Sequence, residues 1–121
     1  MSNNAGWIGV DLDGTLAHYD GWKGEEHIGE PVPLMLARVK QWLAEGRDVR
    51  IFTARIDAGV EFGITDVKQV AVQNAIEDWC KKHIGQYLKI TCCKDYGMIE
   101  LWDDRAVQVT PNWGTRVDGK A

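Results

Sequence analysis

The sequence has no apolar run approaching the ~18 residues of a membrane-crossing helix, which excludes a helical span. Its first residues, Met1-Ser2-Asn3-Asn4-Ala5, lack the basic and apolar regions of a secretory signal, so a cytoplasmic location is expected. Cysteine is scarce. Cys92 and Cys93 are adjacent, Cys80 stands apart, and no Cys-x-x-Cys pair exists. The histidines, His18, His27 and His83, are scattered, which speaks against a zinc site. The cysteines are expected to act as small apolar residues. Lysine and arginine form no cluster, and the formal net charge is −4. That balance argues against a nucleic-acid-binding surface.

What is present suits one globular domain over residues 1–121, since the length allows a single core and no separate substrate domain. Trp7 to Val10 is a short apolar run leading directly into acidic and glycine residues, the pattern of a buried strand that ends at a functional turn. Residues 17–33, rich in glycine, charge and proline from Asp20 on, read as a surface flap. From Leu34 to Leu43 the apolar positions follow helical spacing, and Gly46 ends the helix. Asp48 to Phe52 is a second strand, followed by Thr53-Ala54-Arg55. After a looser segment, Thr65 is a plausible N-cap for an amphipathic helix through Trp79 and Cys80 that stops near Gly85. Tyr87–Cys92, Ile99–Trp102 and Ala106–Val109 read as three further strands, and residues 110–121 as a tail docked by Trp113.

Alternating strands and helices predict a parallel sheet with helices on both faces, whose ligands bind at the carboxyl ends of the strands. One connection fits poorly. About six residues separate the third and fourth strands, too few for a helical crossover, so that link is irregular or a strand is misplaced.

Three strand ends finish in reactive residues: Asp11-Leu12-Asp13-Gly14-Thr15, Thr53-Ala54-Arg55 and Asp103-Asp104-Arg105. Lys94 follows the third strand, Tyr87–Cys92. Acidic pairs placed side by side are costly, since two unit charges ~4 Å apart repel by ~4 kcal/mol at an effective dielectric of ~20. A divalent cation relieves that repulsion, and oxygen-only ligands favour a hard ion such as magnesium. A phosphate brought to such a site would need Lys94, the Thr53 hydroxyl and backbone N–H groups near Gly14 as donors.

The segment Asp11-Leu12-Asp13-Gly14-Thr15-Leu16 resembles the first signature of the haloacid dehalogenase superfamily, which consists mostly of phosphatases and phosphotransferases. Thr53, Lys94 and Asp103-Asp104 resemble its later signatures in order, so the resemblance spans residues 7 to 109. It implies a three-layer α/β/α Rossmann-like domain with a mainly parallel five-stranded sheet of order 5-4-1-2-3. It also implies a magnesium-dependent phosphomonoester hydrolase acting through an aspartyl-phosphate. Asp11 would be the nucleophile and Asp13 the acid and base. Gly14, Thr53, Ala54, Arg55 and Lys94 would hold substrate, and Asp11, Asp13, Asp103 and Asp104 would form the metal site. Within the acidic pair, Asp104 would be the direct ligand and Asp103 would pair with Lys94. Residues 17–33 leave room for a flap and no cap domain. The expected substrate is a nucleotide or other small phosphorylated metabolite. A polynucleotide end phosphatase and a non-catalytic phosphate-binding module are the alternatives, and the sequence leaves the oligomeric state open.

Several residues carry two readings. Tyr19 and Trp22 would stack on a substrate or anchor the flap. Arg55 would reach the substrate or form a structural ion pair. Arg105 would pair with Asp104, and Lys89 competes with Lys94. Trp42 and Trp79 are expected in the core, and Glu100 in a strand has no evident role.

Overall fold

The computed structural model describes residues 6–59, 63 and 66–120. The chain runs β1 (Trp7–Asp11), α1 (Pro33–Ala44), β2 (Asp48–Phe52), α2 (Val67–His83), β3 (Ile90–Thr91) and β4 (Met98–Trp102). All strand pairs are parallel, in the order β3-β2-β1-β4.

Strand alternation divides β1 cleanly. Ile8 and Val10 lie opposite Val49 and Ile51 of β2, and all four are buried in one cluster with Met35 and Val39 of α1 and with Val72, Ile76, Trp79 and Cys80 of α2. Both helices therefore cover the same sheet face. Each is fixed by its ends. Pro33 opens α1, where its missing N–H costs nothing. Asp66 accepts from the Gln69 N–H (2.9 Å) at the start of α2, and Gly46 and Gly85 follow the helices with positive φ. Thr65, the cap expected from sequence, lies outside the described residues.

The other face carries Trp7, Gly9 and Arg50, and no helix covers it. The link from β3 to β4, residues 92–97, crosses it and ends in a turn at Tyr96 and Gly97 (Met98 N–H to Asp95 O, 3.1 Å), docked where Trp7 Nε1 donates to Asp95 Oδ1 (2.8 Å) and the Trp7 N–H to Gly97 O (2.9 Å). Arg50 lies on the Trp7 ring, 4.6 Å from its centroid.

These observations correct the expected architecture. Among the described residues the sheet has four strands in the order β3-β2-β1-β4 with two helices, in place of the expected five-stranded sheet of order 5-4-1-2-3 in a three-layer domain. Residues 106–109 form no strand of the sheet, because Val109 bridges Arg116 in a local hairpin closed by Thr110 N–H to Thr115 O (2.7 Å) and Val117 N–H to Gln108 O (3.0 Å). A partner a few residues away costs less loop entropy than an edge across the domain. Trp113 docks nothing. It is 82% exposed at the hairpin tip. The Rossmann-like core of the haloacid dehalogenase superfamily is therefore not formed. That superfamily's aspartyl-phosphate chemistry gains no support from topology, and the site has to be argued from local geometry. No helix of the described residues is long and apolar enough to cross a membrane.

Candidate metal and phosphate site

Asp11 ends β1, and the chain turns back at once. The Leu16 N–H donates to Asp11 O (3.2 Å), Ala17 N–H to Leu12 O (2.8 Å) and Gly14 N–H to Ala17 O (2.9 Å). Leu12 and Leu16 are fully buried and pin this turn to the core, leaving Asp11, Asp13 and Thr15 at the surface of the cleft. Gly14 has φ +88°, and a Cβ there would sit 2.6 Å from Asp104 Oδ2. Only glycine allows both the backbone and the carboxylate their places.

β4 pairs with β1 and delivers Asp103 and Asp104 beside Asp11. One oxygen from each of the three carboxylates lies within 4.8 Å of the others. The Thr15 hydroxyl is 3.4 Å from both Asp11 Oδ2 and Asp104 Oδ1, so it can donate to one at a time. The Asp11 carboxyl is pushed up to about 7, first by burial, then by its hydrogen bond with Asp104 and the charges of Asp103, Asp104 and Asp13. A proton held at Asp11 relieves the repulsion that a cation would otherwise neutralise. The donor set is all oxygen, which suits a hard divalent ion.

Asp13 is expected to bind the metal through its backbone carbonyl and to act as acid and base through its side chain, and that side chain is held by Arg55. Its Oδ2 accepts from Arg55 Nε (2.7 Å) and its Oδ1 from Arg55 Nη2 (2.9 Å), a bidentate pair with the Arg55 side chain only 5% exposed. The same guanidinium donates to the carbonyls of Glu25 (2.7 Å) and His27 (2.7 Å) and lies 5.1 Å from the Trp22 ring centroid. Arg55 thus ties Asp13 to the flap through four hydrogen bonds, and it also lines the cleft. The flap base is equally fixed. His18 N–H donates to Glu30 O (2.8 Å), Val32 N–H to Leu16 O (2.7 Å), and Trp79 Nε1 to Gly29 O (2.8 Å). Gly29 packs against the His18 carbonyl so closely that no side chain would fit.

A cleft of about 360 Å³ joins these groups, lined by the acidic residues, Thr53, Ala54 and Arg55, and by Tyr19, Trp22, Phe52 and Arg105. Thr53 is buried and its Oγ1 accepts from the Arg55 N–H (3.1 Å), leaving its own O–H as a possible donor to the cleft. Tyr19 and Trp22 are both exposed and line the cleft, and Trp22 lies beside the Arg55 guanidinium. Lys94 is exposed and does not line the cleft. Its expected pairing with Asp103 is absent among the described residues. Asp103 Oδ1 accepts instead from the Arg105 backbone N–H (2.7 Å), and the Arg105 side chain lines the cleft beside the acidic residues. Thr15, Phe52 and Arg105 were not singled out as site residues from sequence. For Thr15 the signal was available, one position beyond Gly14 in the acidic turn.

The remaining expectations resolve simply. Glu100 is exposed on the edge strand and accepts from Trp102 Nε1 (3.1 Å). Trp102 in turn packs on Trp42, with ring centroids 5.2 Å apart. Cys80 is buried, which pushes its thiol up to about 12 and leaves it inert, while Cys93 is exposed.

The fold and site together define a small parallel α/β domain with an acidic cleft at the carboxyl end of its sheet. No family model and no curated protein matches the chain. Among solved structures it is similar to a conserved protein from Bacteroides thetaiotaomicron, with 21% identity over 92% of this chain and 85% of that one, at a TM-score of 0.56. At that identity the likeness shows the fold alone.

Proposed function

We propose that the cleft hydrolyses small phosphomonoesters with magnesium as cofactor. The observation that carries this reading is the convergence of Asp11, Asp103 and Asp104 within 4.8 Å, with Asp11 held up to about 7. Three carboxylates at that spacing need a counter-charge, and a bound magnesium would supply both that and polarisation of a phosphate oxygen. Asp11, Asp103 and Asp104 would hold it.

Asp11 stands at the strand end where a carboxylate oxygen can attack phosphorus, forming a P–O bond as the ester P–O bond breaks. Thr53 O–H and the Arg105 guanidinium line the same cleft and would stabilise the phosphoryl oxygens. The departing oxygen would take a proton that Asp13 has first picked up from solvent, and Asp13, again a carboxylate, would then take a proton from the water that cleaves the phosphoryl–Asp11 bond. Both oxygens of Asp13 now accept from Arg55, so one of those hydrogen bonds must exchange for the leaving oxygen. The open cleft, with Tyr19 and Trp22 on its rim, suits a phosphate carrying a planar group such as a nucleotide. A cytoplasmic setting belongs to this reading and is in keeping with three free thiols.

The engagement of Asp13 favours one other reading, a cation-dependent phosphate-binding module without turnover. A panel of phosphomonoesters, with magnesium and with chelator, separates the two. Hydrolysis that needs magnesium and falls at least ~100-fold in Asp11→Asn supports the enzyme. Magnesium-dependent binding without hydrolysis supports the module, and neither activity nor magnesium binding overturns both.

A further inference from the structure

We propose that Cys92 and Cys93 form an open two-thiolate site for a thiophilic divalent cation such as zinc or cadmium, independent of the hydrolase reading and of the acidic cleft. Adjacent residues of a continuous strand point their side chains to opposite faces, so consecutive cysteines in such a strand do not meet. Here they do. β3 ends at Thr91 and the chain bends at Cys92, which brings the two Sγ atoms to 3.7 Å.

The bend is held by Thr91. Its side chain is buried, and its hydroxyl accepts from the Cys93 N–H (3.0 Å) and donates to Cys93 O (3.1 Å). Its own backbone belongs to the sheet, where Thr91 O accepts from the Thr53 N–H (2.9 Å). Both polar backbone groups of Cys93 are thereby tied to a residue fixed by strand pairing. Cys92 packs partly against the core and Cys93 is exposed, so one thiol is anchored and the other is open to an incoming ligand. Neither is in a disulfide.

Distances choose the chemistry. Two thiolates bound at ~2.3 Å to one tetrahedral ion stand ~3.8 Å apart, and the pair already has that separation. A disulfide asks for more. Neighbouring Cα atoms are ~3.8 Å apart across a trans peptide, short of the ~4.4–6.8 Å that disulfides usually span, so ring closure would have to distort the bend. Bridging by one ion needs no such movement and releases the thiol protons to water. Thiolate sulfur also selects soft ions over magnesium, which leaves the oxygen cluster of Asp11, Asp103 and Asp104 to the hard cation. Among the described residues no further His, Cys, Asp or Glu joins the pair as a third ligand. Water or a small thiol would complete the coordination, which suits a site that exchanges its ion with solvent and does not support the fold.

Cadmium titrated into the reduced full chain tests this, in excess magnesium so that the carboxylates face the hard ion. The readout is the ultraviolet charge-transfer band of cadmium–sulfur bonds, which carboxylate ligands do not give. One cadmium per chain is expected, with protons released on binding, and excess zinc should suppress the band. Cys92→Ser and Cys93→Ser should each weaken binding at least ~30-fold, because a hydroxyl is a poor ligand for a soft ion. Cys80→Ser should change nothing, since that thiol is buried away from the pair. Thr91→Val keeps both thiols and removes the hydroxyl that fixes Cys93, so a loss of ~10-fold is expected with an unchanged circular dichroism spectrum. A missing band overturns the proposal, as does one that excess zinc leaves unchanged or that survives either Cys→Ser substitution in the pair. One cadmium per two chains, or Thr91→Val binding as tightly as the wild type, also overturns it.

Discussion

Replacing the central carboxylate should make the metal-free protein more stable and its function worse. Asp11 rises from 3.8 to about 7 in the fold, so the folded state holds that proton more tightly than the unfolded chain. The sign follows directly. The stabilising contribution is fully present below about pH 4 and is lost as pH rises through about 7. A shift of roughly three units corresponds to ~4 kcal/mol at ~1.36 kcal/mol per unit. Asp11 is only partly buried, so solvent screening cuts this to ~1–2 kcal/mol. Asparagine at position 11 cannot ionise, and its amide N–H can replace the proton shared with Asp104.

Asp11→Asn should therefore match the wild type near pH 4.5 in chelator and exceed it by ~1–2 kcal/mol at pH 8. For a chain of this size that is a rise of roughly 3–8 °C in Tm. Magnesium should narrow or reverse the difference, because an ion bound to the folded state alone stabilises by mass action and the wild type binds it better. Urea denaturation followed by circular dichroism, at both pH values, with chelator and with magnesium, reads all four quantities. Equal stability at pH 8 in chelator, or a less stable variant, would refute the reasoning that Asp11 is held in an uncompensated acidic cluster.

Two other perturbations probe the same cleft. Gly14→Ala puts a Cβ 2.6 Å from Asp104 Oδ2 at a backbone φ of +88°. It should cost ~1–2 kcal/mol in left-handed strain and weaken magnesium binding by displacing that carboxylate, as calorimetric titration would show. Arg55→Ala removes the bidentate partner of Asp13 and two donors to the flap carbonyls. A loss of ~2–4 kcal/mol is expected, together with proteolytic cleavage between residues 19 and 28, and an unchanged digestion pattern would argue against the clamp.

The parts of the molecule legible in the sequence are those whose signal is local. The apolar run Trp7–Val10, the strand Asp48–Phe52, helical spacing after Pro33, and the acidic turn at Asp11–Thr15 each describe a few neighbouring residues, and the structure places these elements there. Long-range choices were not legible. Ala106–Val109 has the composition of a strand, but whether it joins β4 or pairs with Arg116 depends on a competition between a distant edge and a nearby partner. Lys94 was assigned by its order after a strand, and order alone does not carry a side chain into a cleft. The bidentate pair of Arg55 with Asp13 shows the same limit in the other direction. Both residues were singled out, but their contact spans 42 positions and competes with the roles each was expected to play.

That contact changes how the cleft has to be understood. The three carboxylates that converge are those of Asp11, Asp103 and Asp104, while the fourth, Asp13, is neutralised by a cation the protein supplies itself. The cluster therefore keeps three carboxylates whose repulsion is relieved by a proton at Asp11 or by a cation, and isolates one carboxylate for a separate task. Arg55 also fixes the flap through Glu25 O and His27 O, so the position of Asp13 and the position of the flap are set by one guanidinium. A substrate that displaced an Arg55 hydrogen bond from Asp13 would at the same time loosen the loop carrying Tyr19 and Trp22. Access to the cleft and the availability of Asp13 are in this way coupled through a single buried side chain.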